Sequence, residues 1–66
     1  MTITLNGKAH EVADGTTVGE LIITVTGTER GSAAVVDGEV VPRSVWSGTA
    51  LHDGQSVELI TAVQGG

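Results

Sequence analysis

Few residues of this chain could do chemistry. It has no cysteine, which excludes thiolate metal sites, disulfides and thiol nucleophiles. His10 and His52 are its two imidazoles. A general base or ligand needs a nucleophile or second ligand in reach. His10 has none nearby, so it reads as a half-buried strand side chain with one hydrogen bond. His52 precedes Asp53, but neighbours in a tight turn rarely meet one substrate, and the pair reads as solvated turn residues. Gly7, Gly15, Gly19, Gly27 and Gly31 fall in neither dinucleotide-binding nor P-loop order. No serine triad and no His/carboxylate cluster of metal-ligand spacing is apparent. What remains is the end of the chain, Val63-Gln64-Gly65-Gly66. Two glycines there carry no side chain and are costly to order. They offer a thin arm ending in an α-carboxylate. The three residues past Val63 span roughly 10 Å when extended, enough to enter a tunnel too narrow for other residue pairs. The candidate reacting group is therefore the Gly66 carboxyl, against the plainer alternative of a frayed end. The chain is not expected to be an enzyme, and any chemistry at Gly66 is catalysed by another protein.

Such an arm needs a rigid base. Sixty-six residues make one domain, expected over residues 1–63, with 64–66 as a flexible tail. A chain of this length buries only about 60% of its unfolded surface, so its aliphatic core must suffice without disulfides. Trp46 is the only aromatic residue. Net charge is −5, with eight acids against Lys8, Arg30 and Arg43. That balance argues against nucleic acid and anionic membranes, and suits docking on basic protein surfaces or simple solubility. Neither a secretory signal nor a membrane-spanning run is present, so the expected location is the cytoplasm.

Thr2-Ile3-Thr4-Leu5 alternates as a half-buried strand does, with Ile3 and Leu5 inward. Asn6-Gly7 marks a tight hairpin, and Lys8 to Val12 returns with Val12 and His10 on one side. After a turn at Ala13-Asp14-Gly15, β-branched residues favour a strand over Leu21 to Thr26. The spacing of Val18, Leu21, Ile22 and Val25 instead predicts a helix facing the core. Thr17-x-x-Glu20 is a capping box, and Gly27 suits the far end. Ser32 to Val36 and Glu39 to Val41 are two more strands joined at Asp37-Gly38, the second at an edge because Pro42 ends it. Pro42 to Trp46 is expected to form one irregular or 3₁₀ turn, with Trp46 covering one end of the core rather than anchoring a partner. A bridge is expected near Thr49 to Leu51. Past the His52 to Gln55 turn, Ser56 to Val63 is a last strand with apolar residues on both faces, and so central. Its free neighbour is the first strand, in parallel. The result is α+β: a mixed sheet of four to five strands packed on one helix.

The chain resembles the ThiS-type sulfur carriers of thiamine (thiazole) biosynthesis, which have the ubiquitin-like β-grasp fold. The resemblance rests on Asn6-Gly7, on Asp14-Gly15-Thr16-Thr17-Val18 leading to Glu20-Leu21-Ile22, and on Val40-Val41-Pro42-Arg43-Ser44-Val45-Trp46. Its most specific part is Asp53-Gly54-Gln55-Ser56-Val57-Glu58-Leu59-Ile60 with the Thr61-Ala62-Val63-Gln64-Gly65-Gly66 end. Ile23, Thr24 and Thr26 depart from the leucines and acids usual in that helix. The resemblance implies a cycle. An ATP-using adenylyltransferase related to ubiquitin-activating enzymes adenylates Gly66. A cysteine desulfurase route converts it to a thiocarboxylate, and thiazole synthase takes the sulfur. Gly65, Gln64 and Val63 then provide access and direction for the arm. No cofactor or metal is expected on the chain, which should be a monomer on its own. The exposed side of the last strand and the Pro42 to Trp46 segment lie near the arm's approach; Glu58 and Ile60 are candidate partner contacts, with Ile60 packed inside as the alternative. The competing readings are a protein modifier conjugated through Gly66, a molybdopterin-synthase-type small subunit, and an unreactive adaptor.

Overall fold

A computed structural model describes residues 1–28 and 30–61. Glu29 and the expected site residues Val63, Gln64, Gly65 and Gly66 lie outside the described residues, as does Ala62. Strands β1 (Thr2–Leu5) and β2 (Lys8–Glu11) form an antiparallel hairpin, with Ile3 opposite His10. Its turn is left-handed at both positions, Asn6 at φ 49° and Gly7 at φ 84°, as a two-residue hairpin of this twist demands. Helix α1 (Val18–Thr26) follows, then β3 (Ser32–Val36), β4 (Glu39–Val41), a 3₁₀ segment (Arg43–Gly48) and β5 (Ser56–Thr61). The sheet order is β2-β1-β5-β3-β4. β5 lies at the centre, parallel to β1 and antiparallel to β3, and β4 takes the edge. This is the β-grasp arrangement, with five strands on one helix.

The helix forms against the β propensity of its sequence because its ends are satisfied and one side is buried. Thr17 Oγ1 accepts from the Glu20 amide at 3.2 Å, and Glu20 Oε1 accepts from the Thr17 amide at 3.0 Å. Gly27, left-handed at φ 83°, donates its amide to Ile23 O at 2.8 Å. Val18, Gly19, Leu21 and Ile22 are buried. Val25, expected on the same inward stripe, is instead 45% exposed. The helix packs on the 3₁₀ segment and on β3, which cover its first turns and leave the last one in solvent. Replacing Thr17 by alanine removes the cap and is expected to cost about 1 kcal/mol, read as a lower midpoint in urea unfolding.

Ile3, Val18, Leu21, Ile22, Ala34, Trp46, Leu51, Val57 and Leu59 make the core. Trp46 is 2% exposed, and its indole Nε1 donates to Val41 O at 2.8 Å. The residue therefore closes the core, as expected. The 3₁₀ stretch around it runs further than the single turn expected, reaching Gly48. Thr17 and Ala50 form an isolated antiparallel bridge, close to the expected position. β2 stops one residue short of Val12, although the Val12 amide still donates to Met1 O at 2.9 Å and its side chain packs on the core. The two faces of β5 are unlike. Val57 and Leu59 are buried under the helix layer, while Glu58 and Ile60 are exposed, because the described residues cover only one side of this sheet.

Candidate functional site

β5 carries the chain towards its diglycine, so its anchoring is the first element of the site. Three turns hold it with side chains. Asp37, left-handed at φ 50°, accepts the Ser56 amide on Oδ1 at 2.9 Å and Gln55 Nε2 on Oδ2 at 3.1 Å. Gln55 Oε1 in turn accepts the His52 amide at 2.7 Å. Asp53 Oδ1 accepts the Thr2 amide at 2.8 Å, tying the start of β1 to the turn before β5. Asp53 is exposed in its turn, as expected. It is a turn carboxylate satisfying a backbone donor 51 residues away. Asn6 joins from the other hairpin, with Oδ1 accepting the Leu59 amide at 2.9 Å.

The uncovered face of the sheet surrounds this strand. The register sets Ile60 beside Ala33, Glu58 beside Val35, and Val35 beside Val40. Cross-strand partners share a face, so these residues form one surface across β5, β3 and β4. Ile60 is 55% and Val40 71% exposed. Glu58 adds a carboxylate, and an open notch lined by Asn6, Gly7, Ser56 and Glu58 lies on its β1 side. Only Glu58 and Ile60 were singled out from the sequence. A three-residue strand ended by proline does not show in sequence which way Val40 points. Pairing with β3 decides that.

The two histidines take no part in this surface as a pair. His10 is half-buried on edge strand β2, and His52 is exposed in the turn before β5. Among the described residues no group of three or more histidine, cysteine, aspartate or glutamate side chains could hold a metal ion. Among them, too, no helix is long and apolar enough to cross a membrane. What the described residues present is a rigid, one-sided sheet with an exposed aliphatic face around its central strand.

Comparison with known proteins gives consistent matches. The model of the ThiS family matches residues 3–66. The sulfur carrier protein ThiS of Escherichia coli (strain K12) is 32% identical over 66 residues, covering all of both chains. The crystal structure of the thiamine biosynthesis protein ThiS from Geobacter metallireducens superposes with a TM-score of 0.83 at 30% identity, again covering all of both chains. The solution structure of a thiamine biosynthesis protein from the same organism also gives 0.83, with 88% of that chain covered.

Proposed function

The chain belongs to the ThiS family, and from that premise we propose that it is a sulfur carrier of thiamine biosynthesis whose Gly66 carboxyl is the carrying group. The observation that supports this most directly is the full-length match to a sulfur carrier protein, which includes the diglycine end. The chemistry follows from the carboxylate. It is a poor electrophile until its oxygen is made a leaving group. A partner adenylyltransferase spends ATP, releasing pyrophosphate, to make the Gly66 acyl-adenylate. A persulfide from a cysteine desulfurase route displaces AMP and forms an acyl disulfide, and a second thiol then reduces its S–S bond, leaving the thiocarboxylate on Gly66 and a disulfide on the donor side. Thiazole synthase consumes that sulfur, and the chain ends the cycle as the carboxylate. The protein serves as substrate and carrier rather than catalyst, binds no cofactor of its own and works in the cytoplasm.

Water would hydrolyse the acyl-adenylate, so the reaction belongs in a closed channel of the partner. Gly65 and Gly66 suit such a channel because no side chain widens them, and Gln64 and Val63 join them to the domain. Incubation with the adenylyltransferase, ATP and a sulfur source is expected to exchange one oxygen of the chain for sulfur, seen as the matching gain in intact mass. No gain would sink the carrier reading. Lysine conjugates of Gly66 would favour a protein modifier instead.

The exposed aliphatic face is the proposed docking surface. Ile60→Asp places a charge at its centre and adds to an already acidic chain. It is expected to raise the KM of adenylation by about tenfold or more while leaving the unfolding midpoint nearly unchanged, since Ile60 is half-exposed. Steady-state pyrophosphate release and urea titration measure the two.

A further inference from the structure

Asn6 does more than make a turn. β1 and β5 run parallel, and their bonds climb in steps: the Thr4 amide donates to Gln55 O and the Asn6 amide to Val57 O, both at 2.9 Å. The next rung would take Leu59, but β1 has already turned away at Asn6-Gly7. The Asn6 carboxamide fills that rung. Its Oδ1 accepts the Leu59 amide at 2.9 Å, and its Nδ2 donates to Leu59 O at 3.4 Å. A side-chain amide thus presents to Leu59 the donor and acceptor that a further peptide of β1 would present.

Leu59 depends on this contact. On the β3 side, the Asp37 amide donates to Ser56 O. Antiparallel pairs alternate, so Glu58 and Ile60 direct their backbone groups to β3, and Val57 and Leu59 direct theirs to β1. Asn6 Oδ1 is the partner of the Leu59 amide among the described residues.

We infer that Asn6 is a positioning residue for the reaction at the chain end: its carboxamide extends the β1 pairing to Leu59 and sets the base from which the diglycine arm is presented. This rests on the carrier reading above. The side chain touches neither the reacting carbon nor the nucleotide. It acts through β5, by raising the fraction of molecules whose arm starts from the productive position. A smaller competent fraction raises the apparent KM and leaves kcat alone, because chemistry after engagement is unchanged.

Two variants and a control test it. Asn6→Gly keeps the left-handed turn and deletes the carboxamide. Asn6→Asp keeps an oxygen acceptor for the Leu59 amide. Thr17→Ala weakens the helix cap, remote from β5 pairing. Hydrogen exchange of each chain is read at Leu59 against Glu58 and Ile60, and adenylation by a ThiS-activating adenylyltransferase is followed by pyrophosphate release. In Asn6→Gly, Leu59 should exchange about tenfold faster relative to its two neighbours. The KM should rise several-fold at constant kcat. Asn6→Asp should retain Leu59 protection and recover most of the KM, and Thr17→Ala should lower the unfolding midpoint with KM unmoved. An unchanged KM in Asn6→Gly, or an equal rise in Thr17→Ala, overturns the positioning role while the carrier reading stands. Failure of the wild-type chain to be adenylated overturns both.

Discussion

Deletion of Gly66 is expected to abolish sulfur loading altogether. The variant still ends in a glycine carboxylate, so the loss would come from position rather than chemistry. One residue less withdraws the carboxyl by about 3.5 Å, and a displacement of only about 1 Å already costs on the order of a hundredfold in a positioned reaction. Gly65→Ala keeps the length and adds one methyl group where a closed channel has no room. Its adenylation kcat/KM should fall on the order of a hundredfold. Neither residue has a side chain to bury, so both variants should unfold near the wild-type midpoint. Intact mass after incubation with ATP, the adenylyltransferase and a sulfur source gives the first readout, and pyrophosphate release the second. Full loading of the shortened chain would show that Gly66 is not the carrying residue.

Trp46→Ala is expected to have the largest effect on stability. The indole is nearly fully buried, and it links the 3₁₀ segment to the edge strand through Val41 O. Truncating a buried tryptophan costs about 3–5 kcal/mol. A chain of this size has about 3–10 kcal/mol in all. The variant should therefore lose much of its stability and unfold at a far lower urea concentration than the wild type, which far-ultraviolet circular dichroism would record. Fluorescence cannot, because the substitution removes the only aromatic side chain. Trp46→Phe keeps most of the apolar volume and loses the indole donor, so it should fall between the two. A folded Trp46→Ala chain of near wild-type midpoint would contradict the place of this residue in the core.

The two experiments separate two jobs in the molecule. The core, capped by Trp46, makes the platform. In the proposed function the uncovered face of β5, β3 and β4 meets the partner, and the diglycine arm carries the reacting group. The division explains the bare aliphatic surface. Ile60 and Val40 are more than half exposed, which is costly for solubility unless a partner covers them.

Much of this was legible in the sequence because it is local. The Asn6-Gly7 and Asp37-Gly38 turns, the Thr17-Glu20 capping box and the Gly27 stop each depend on residues within a few positions of one another. The helix was legible against its own β propensity because its inward positions recur at the helical period. The parallel pairing of first and last strands followed from a β5 too apolar for an edge. The proposed carrying group, Gly66, was also a sequence matter: nothing else in the chain competed for the role, and the ending matches that of a known family.

Other features needed the tertiary structure, because they depend on which residues distant contacts cover. Val25 fits the helical stripe, yet the layer beneath α1 ends before it. Val40 and Ile60 are on one face because β3 pairs with both β4 and β5, and no local pattern fixes that register. Asp53 satisfies Thr2, and Asn6 reaches Leu59, across most of the chain. A turn asparagine and a turn aspartate look alike in sequence whether their side chains face solvent or a remote backbone. The sequence by itself determined the elements and pointed to the end of the chain as the reacting group. Folding alone decided which side of the central strand stays bare and which turn residues hold that strand in place.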